Sequence, residues 1–328
     1  MLFNKSLTGI DELKELTGFL YSYNNFENIR TDLELAQEDM AALIGQEVMD
    51  LADSHYNSED FDAEGYELLT NLVKHIQLPV AYFAIHSFSQ NADVSHEDSG
   101  RKVKIDAERE KLPWEWMLDK DEKAILKKAH RTTDRLIAFL EKNIAEEDLS
   151  VWAESTARAA IKGQMIDSAE AFNQIYPIDN SRRFFLLISP FIREAERKYI
   201  KPALTPTVYD EIKTALASEE GFDDENGILP YIQTPLAYFA MSIAVDRLAV
   251  EVLPEGVFQN LISERLTQNA KVSAVPEVKR EVSKLLFNQG QTELRMLTEQ
   301  LRKIVAGEDF EEADLTQGLD EDNKFARV

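Results

Sequence analysis

The chain has no cysteine in its 328 residues, which excludes disulfides and thiolate metal sites and fits a reducing compartment. Long apolar runs are missing too. Nothing approaches the roughly 18 residues of a membrane span, and Met1-Leu2-Phe3-Asn4-Lys5 lacks the apolar centre of a secretory leader. These absences predict a soluble intracellular protein with no membrane partner. Basic charge is scarce. Lys and Arg number 36 against 60 Asp and Glu, a net charge of −24. An acidic surface repels phosphate, so sequence-independent nucleic-acid binding, which needs clustered cations, is disfavoured. The excess either keeps the chain soluble or forms a wall past which DNA slides without sticking, and composition leaves both open.

Chemical signatures are equally scarce. There is no Gly-x-x-x-x-Gly-Lys loop, no Gly-x-Ser-x-Gly elbow, no dinucleotide fingerprint and no His-Glu-x-x-His pair. Asp60-Phe61-Asp62-Ala63-Glu64-Gly65 imitates the start of a calcium loop, but the twelfth position, which needs a bidentate Glu, is Asn71. Asp223-Asp224-Glu225-Asn226-Gly227 is no closer. The five histidines, 55, 75, 86, 96 and 130, share no spacing. They read as core or boundary residues. No carboxylate pair is flanked by the apolar surface that raises a pKa for acid-base work. The sequence therefore assigns no catalytic residue, no cofactor and no metal, and reads as a non-enzyme.

What is present is a repeat. His75-Ile-Gln-Leu-Pro-Val-Ala-Tyr-Phe-Ala-Ile85 returns as Tyr231-Ile-Gln-Thr-Pro-Leu-Ala-Tyr-Phe-Ala-Met241, 156 residues later and identical at seven of eleven positions. Self-similarity of this kind means one structural unit used twice. At the same offset Ile10-Asp11 falls on Ile166-Asp167, Leu16 on Phe172, Val94 on Val250 and Gly100 on Gly256. The register slips between these anchors, with Leu35-Ala36-Gln37 best matched to Glu194-Ala195-Glu196. The organisation expected is a first copy over 1–148, a connection over 149–163 anchored by Trp152, a second copy over 164–306, and a flexible acidic tail over 307–328. That tail carries eight acids and two bases, too little apolar surface for an ordered core.

The class expected is all-α, two tandem helical bundles each with a small β-hairpin arm. Thr8, the acids Asp11 and Glu12, and Gly18 bound a helix over 9–17. Phe26, Ile29, Leu33, Ala36, Met40, Leu43 and Ile44 recur at three and four and predict a helix ending at Gly45. Another runs to about His55, followed by a polar loop over 57–65. Tyr66 to Gln77 reads as helical, with Leu78 biased out of the helix by the following proline, so that a new helix starts at Pro79. The run that follows is apolar on every face and should be the central helix of its bundle. Its repeated residues Pro79, Ala81, Tyr82 and Phe83, with Pro235, Ala237, Tyr238 and Phe239, are the expected repeat core. In the second copy Phe184 to Ile200 forms a stripe, with Pro190 expected in the first helical turn and Pro202 as the breaker. Long helices close the copies, over 119–146 and 276–306, the second weakened at Gly290.

Alternation around Ser99-Gly100 and Pro254-Glu255-Gly256 predicts hairpins that lie on the bundle or on another subunit. Arg101, Lys102 and Lys104, the pair Arg182-Arg183, and the turn residues Pro254 and Gly256 are the candidate interface.

The segments Arg182-Arg-Phe-Phe-Leu-Leu-Ile-Ser-Pro-Phe-Ile-Arg-Glu-Ala-Glu196 and Tyr199-Ile-Lys-Pro-Ala-Leu204, with Ile10-Asp-Glu-Leu-Lys14 and the helix 32–45, resemble an uncharacterised protein family of phages and prophages of the Bacteroidetes. The likeness spans most of 8–250, and its motifs are structural. Members lie among virion structural genes, and the N-terminal helix pattern is similar to phage head-tail connector subunits. The resemblance implies a ring-forming connector or tail-completion protein at the portal-tail junction, a homo-oligomer that contacts portal or tail subunits, lets DNA pass through an acidic lumen without specific binding, and assembles into virions in the host cytoplasm. A component of a contractile injection or secretion apparatus and an all-α enzyme with a site between the copies are the alternatives. For that enzyme the default pocket would be lined by Tyr82, Tyr238, His75 and His86.

Overall fold

The structure, a computed structural model, describes all residues except 6–7, 19–24, 93–94, 98–99, 103–112, 160, 219–221, 225, 249, 254–255, 260–275 and 307–328. The protein is all-α. The first copy holds α1 (Gly9–Thr17), α2 (Glu27–Ile44), α3 (Gln46–Asn57), α4 (Glu67–Ala92) and α5 (Glu115–Lys142). A 3-10 turn at Glu147–Leu149 and the short α6 (Ser150–Ala153) and α7 (Thr156–Ala159) lead to the second copy. There α8 (Ala169–Ile175), α9 (Arg182–Ala195) with a π turn at Glu196–Ile200, α10 (Pro206–Ala217), α11 (Leu229–Arg247) and α12 (Pro276–Ala306) follow. Between α4 and α5, β1 (Ser95–Glu97) pairs antiparallel with β2 (Gly100–Lys102). Between α11 and α12, β3 (Val250–Leu253) pairs antiparallel with β4 (Gly256–Gln259).

The repeated segments become α4 and α11. In the first copy α4 packs against α1, α2, α3 and α5, while in the second α11 packs against α8, α9, the π turn and α12. One apolar cluster runs from Leu2 to Trp152 and the other from Ile161 to Leu297. A helix enclosed on all sides needs apolar residues all round, and the Leu72–Ile85 and Ile232–Ala244 stretches supply them.

Two proline expectations fail for one reason. α4 is continuous through Pro79, with no break at Leu78, and Pro190 lies in the interior of α9 instead of its first turn. Pro235 sits inside α11 in the same way. An interior proline removes the bond to the carbonyl four residues back, at about 3 kcal/mol. On α4 that loss is opposed by Leu72, Val73, Ile76, Val80 and Ile85, all buried, each contributing roughly 1.5–3 kcal/mol. A break at 78 would also leave unpaired backbone inside the core. α5 starts at Glu115, earlier than its apolar stripe suggests. α10 was not anticipated, and Thr205 caps it by accepting from Val208 N, with Pro206 at its first turn.

The tail over 307–328, Lys104 and Pro254 lie outside the described residues.

Candidate functional site

The repeat residues are placed as a matched pair of cores. Pro79, Ala81, Pro235 and Ala237 are buried, and the two prolines occupy equivalent points of the two central helices. The repeated glutamine has one task in both copies. Gln77 Nε2 donates to the Leu2 carbonyl at 2.5 Å, and Gln233 Nε2 donates to the Met165 carbonyl at 2.8 Å. Each thereby ties the start of its copy to the central helix and satisfies a carbonyl that would otherwise be orphaned. Tyr82 is buried, and Lys128 Nζ stands 5.5 Å from the centre of its ring.

The expected interface residues separate. Arg101 and Lys102 fall in β2 and Gly256 opens β4. Arg182 and Arg183 begin α9, half-exposed, beside Asp134 of the first copy and Glu170 of α8. Asp134 of α5 accepts from the Arg183 N–H at 2.8 Å and from the Ser181 hydroxyl at 3.1 Å, while the Arg182 guanidinium pairs with Glu170.

This seam also gathers a group of charges. A cavity of about 310 Å³ is lined by Ile137, Glu141, Ile161, Asp167, Arg182 and Phe185 among others. Burial pushes the Glu141 carboxyl above its ordinary range, opposed by Arg158 and Arg182 and reinforced by Asp167 and Glu170. Arg158 Nε is 3.6 Å from Glu141 Oε1, an ion pair too long to be a hydrogen bond. Three carboxylates and two guanidiniums gather here without a nucleophile, in pairs that run from Glu141 to Arg158 of the connection and from Arg182 to Glu170 within the second copy.

A second cavity, about 650 Å³, lies within the first copy and includes Lys5, Glu12, Tyr56, Phe61, Lys74 and His75. Several of its polar groups are engaged by one another, Lys74 by Asp62 and Glu12 by Thr8 and Tyr56. The Tyr56 hydroxyl donates to Glu12 Oε2 at 2.7 Å and accepts from Lys5 N at 2.8 Å; burial first, then Glu12, raises its pKa, so it stays protonated. The second copy buries a similar group, in which Glu196 accepts from the Tyr209 hydroxyl at 2.7 Å and lies 3.0 Å from Lys213 Nζ. Both groups read as structural pins.

Three of the histidines are packing residues. His55 Nε2 is 3.0 Å from Thr70 Oγ1, His75 stacks on Phe139, and His130 tilts against Phe83. His75 lines the first-copy cavity beside Lys74 and Gln77, and its neighbours there do not include Tyr82, Tyr238 or His86. Among the described residues, no group of three or more His, Cys, Asp or Glu is placed to hold a metal ion. No described helix is long and apolar enough to cross a membrane.

The feature that sequence reasoning missed is the sorting of cations onto the closing helices. On α12, Arg280, Lys284, Arg295 and Arg302 are exposed along one side, separated by four, eleven and seven residues. On α5, Lys120, Lys123, Lys127 and Arg131 do the same at three, four and four. None of these eight makes an ion pair within 4.0 Å with another described residue. Beside the α12 row runs a second one, apolar and exposed: Val278 at 43%, Val282 at 37%, Leu285 at 59% and Met296 at 47%. The signal was available as helical spacing. The cations are not contiguous in the sequence, so they form a row only once the helix is granted.

Residues 35–169 and 200–306, one stretch mainly in each copy, match the model of a family described as a family of unknown function (DUF6712). No curated protein matches, and no solved structure matches.

Proposed function

The chain belongs to this family of unknown function, and from that premise we propose that it is a phage virion structural protein, a ring-forming subunit at the portal-tail junction. The narrower resemblance to phage and prophage proteins of the Bacteroidetes and to head-tail connectors supplies the role. The observation that carries the reading is charge segregation. In a chain of net charge −24, α5 and α12 each expose four cations that make no ion pair with another described residue, and α12, which also exposes Glu277, Glu281 and Glu299, carries an apolar row alongside. Exposed apolar rows rimmed by polar residues mark contact surfaces. Cations on such a surface attract the acidic remainder of a neighbouring copy, and the acids left facing inward let duplex DNA pass without adhesion. The partners on this reading are further copies of the chain and portal or tail subunits, in a virion assembled in the host cytoplasm.

Electron microscopy of the purified chain, alone and with the products of neighbouring genes, tests the role. Closed rings with a central opening are expected. Particles no larger than one or two chains under all conditions would remove it.

A further inference from the structure

The ring reading does not say which surfaces meet. Two observations choose them. The apolar row Val278, Val282, Leu285 and Met296 on α12 has a cationic row, Arg280, Lys284, Arg295 and Arg302, toward one side, with the exposed Glu277, Glu281 and Glu299 on the same helix. At the opposite end of the chain α2 offers the complement: Leu35 is 55% exposed, and the exposed Glu34, Glu38 and Asp39 surround it. Glu34 is partly occupied by Arg30 at 2.9 Å within the helix, whereas Glu38 and Asp39 make no ion pair with another described residue. Ala42, also exposed, continues this face.

We propose that α12 of one copy docks on α2 of the next copy, with Leu285 and its apolar neighbours against Leu35, and Lys284 and Arg295 facing Glu34, Glu38 and Asp39. The inference rests on the ring reading and makes it specific. The contact is heterologous, since two different faces meet. Repetition of such a contact generates a ring when the rotation closes, whereas a twofold dimer would need one self-complementary patch. Each subunit takes part twice, once through each face. A single helix pair covers less than the ~800 Å² per partner of a standard interface, so closure of the ring supplies the stability that one contact lacks.

A nucleic-acid backbone is the other partner for a cationic helix row. It is disfavoured here because the apolar row beside the cations gains nothing against phosphates, and because the whole chain at −24 repels them.

The test uses the full chain in three forms: Lys284→Glu with Arg295→Glu, Glu34→Lys with Glu38→Lys, and all four changes together. All four positions are exposed, and circular dichroism checks that the fold is kept. Sedimentation and a DNA-retention assay are read on each. The proposal expects the wild type to assemble, each double variant to lose the assembly, and the quadruple variant, whose net charge equals that of the wild type, to regain it. Wild-type assembly that survives both double variants would overturn this interface and leave the ring standing. A wild type that is monomeric at every concentration would overturn both. DNA retention abolished by the α12 pair with assembly untouched would assign the row to nucleic acid and overturn the proposal.

Discussion

In the first copy Tyr82 is the buried member of the repeated Tyr-Phe pair and Phe83 is half-buried, whereas in the second Phe239 is fully buried and Tyr238 is half-buried. The neighbouring helix explains the exchange. A Cβ added at Gly290 of α12 would lie 2.8 Å from the Phe239 ring, so glycine there is what admits the ring, which also stacks on Tyr199 at 4.2 Å. In the first copy His130 of α5 meets Phe83 at 5.8 Å instead. The copies also end their helices differently. Ser168, Ser181 and Thr205 each accept from a backbone N–H at the start of α8, α9 and α10, and Asp224 accepts from Ile228 and Leu229 at the start of α11. In the first copy Asn4 accepts from Gly9 at the start of α1 and Asn25 from Glu27 at the start of α2, whereas the residues directly preceding α1, α2, α3 and α5 make no cap bond. Both copies thus use side chains at their helix starts, but only the second places a capping Ser or Thr directly before three of its helices.

The sharpest way to break that comparison is to truncate the exchanged aromatics. Phe239→Ala is expected to cost about 3–5 kcal/mol in urea unfolding and Phe83→Ala less than half as much, because only the first opens a sealed cavity. Equal losses would show that the exchange has no energetic content. Next come the glutamine ties. Gln77→Leu leaves a buried carbonyl unpaired at about 1–3 kcal/mol, and Gln233→Leu costs less, since Gln233 is only half-buried. The same unfolding series checks both.

The caps come third. Ser181→Ala should lose about 1 kcal/mol, whereas Thr8→Ala, at a position that makes no capping bond to α1, should lose clearly less. The smallest effect is a pH response confined to one copy. All five histidines lie in the first copy, and burial lowers the pKa of His55, His75 and His130 below 6.5. For a base with a depressed folded pKa, the unfolded chain binds the extra proton first. The histidine-linked stability is therefore complete above about pH 6.5 and is lost as pH falls through the lowered values. Glu141, with its raised pKa, acts in the opposite sense and offsets part of the loss. All three tryptophans lie between 114 and 152, and Trp152 is buried, so tryptophan emission follows the first copy. Its urea midpoint should fall between pH 7.5 and 5.5. A midpoint that does not move would contradict the assignment.

The all-α class and several helix bounds could be read from the chain because they depend on local rules. Gly18 stops α1 and Gly45, at φ +96°, stops α2, both as their spacing indicates. α12 spans the predicted 276–306 because its stripe is long and uninterrupted. What was illegible depends on partners. Pro79 looks like a break until the residues buried around it are known, and Gly290 looks like a weakness until Phe239 is placed against it. The seam was illegible for the same reason, since Arg182 looks like surface charge until Glu170 is brought beside it, and nothing in the spacing shows that Asp134 will accept from the Arg183 backbone N–H. The cationic rows are a different case. They follow from spacing alone once the helices are granted, but their exposure does not.

The central claim is that these sorted charges assemble copies of the chain into a ring, and its most direct measurement is the mass in solution by light scattering across concentration and salt. The account predicts a fixed multiple of 37.4 kDa, larger than a dimer, that dissociates as salt screens the contacts between α12 and α2. A mass of one chain under every condition, with neighbouring gene products absent or present, would contradict it.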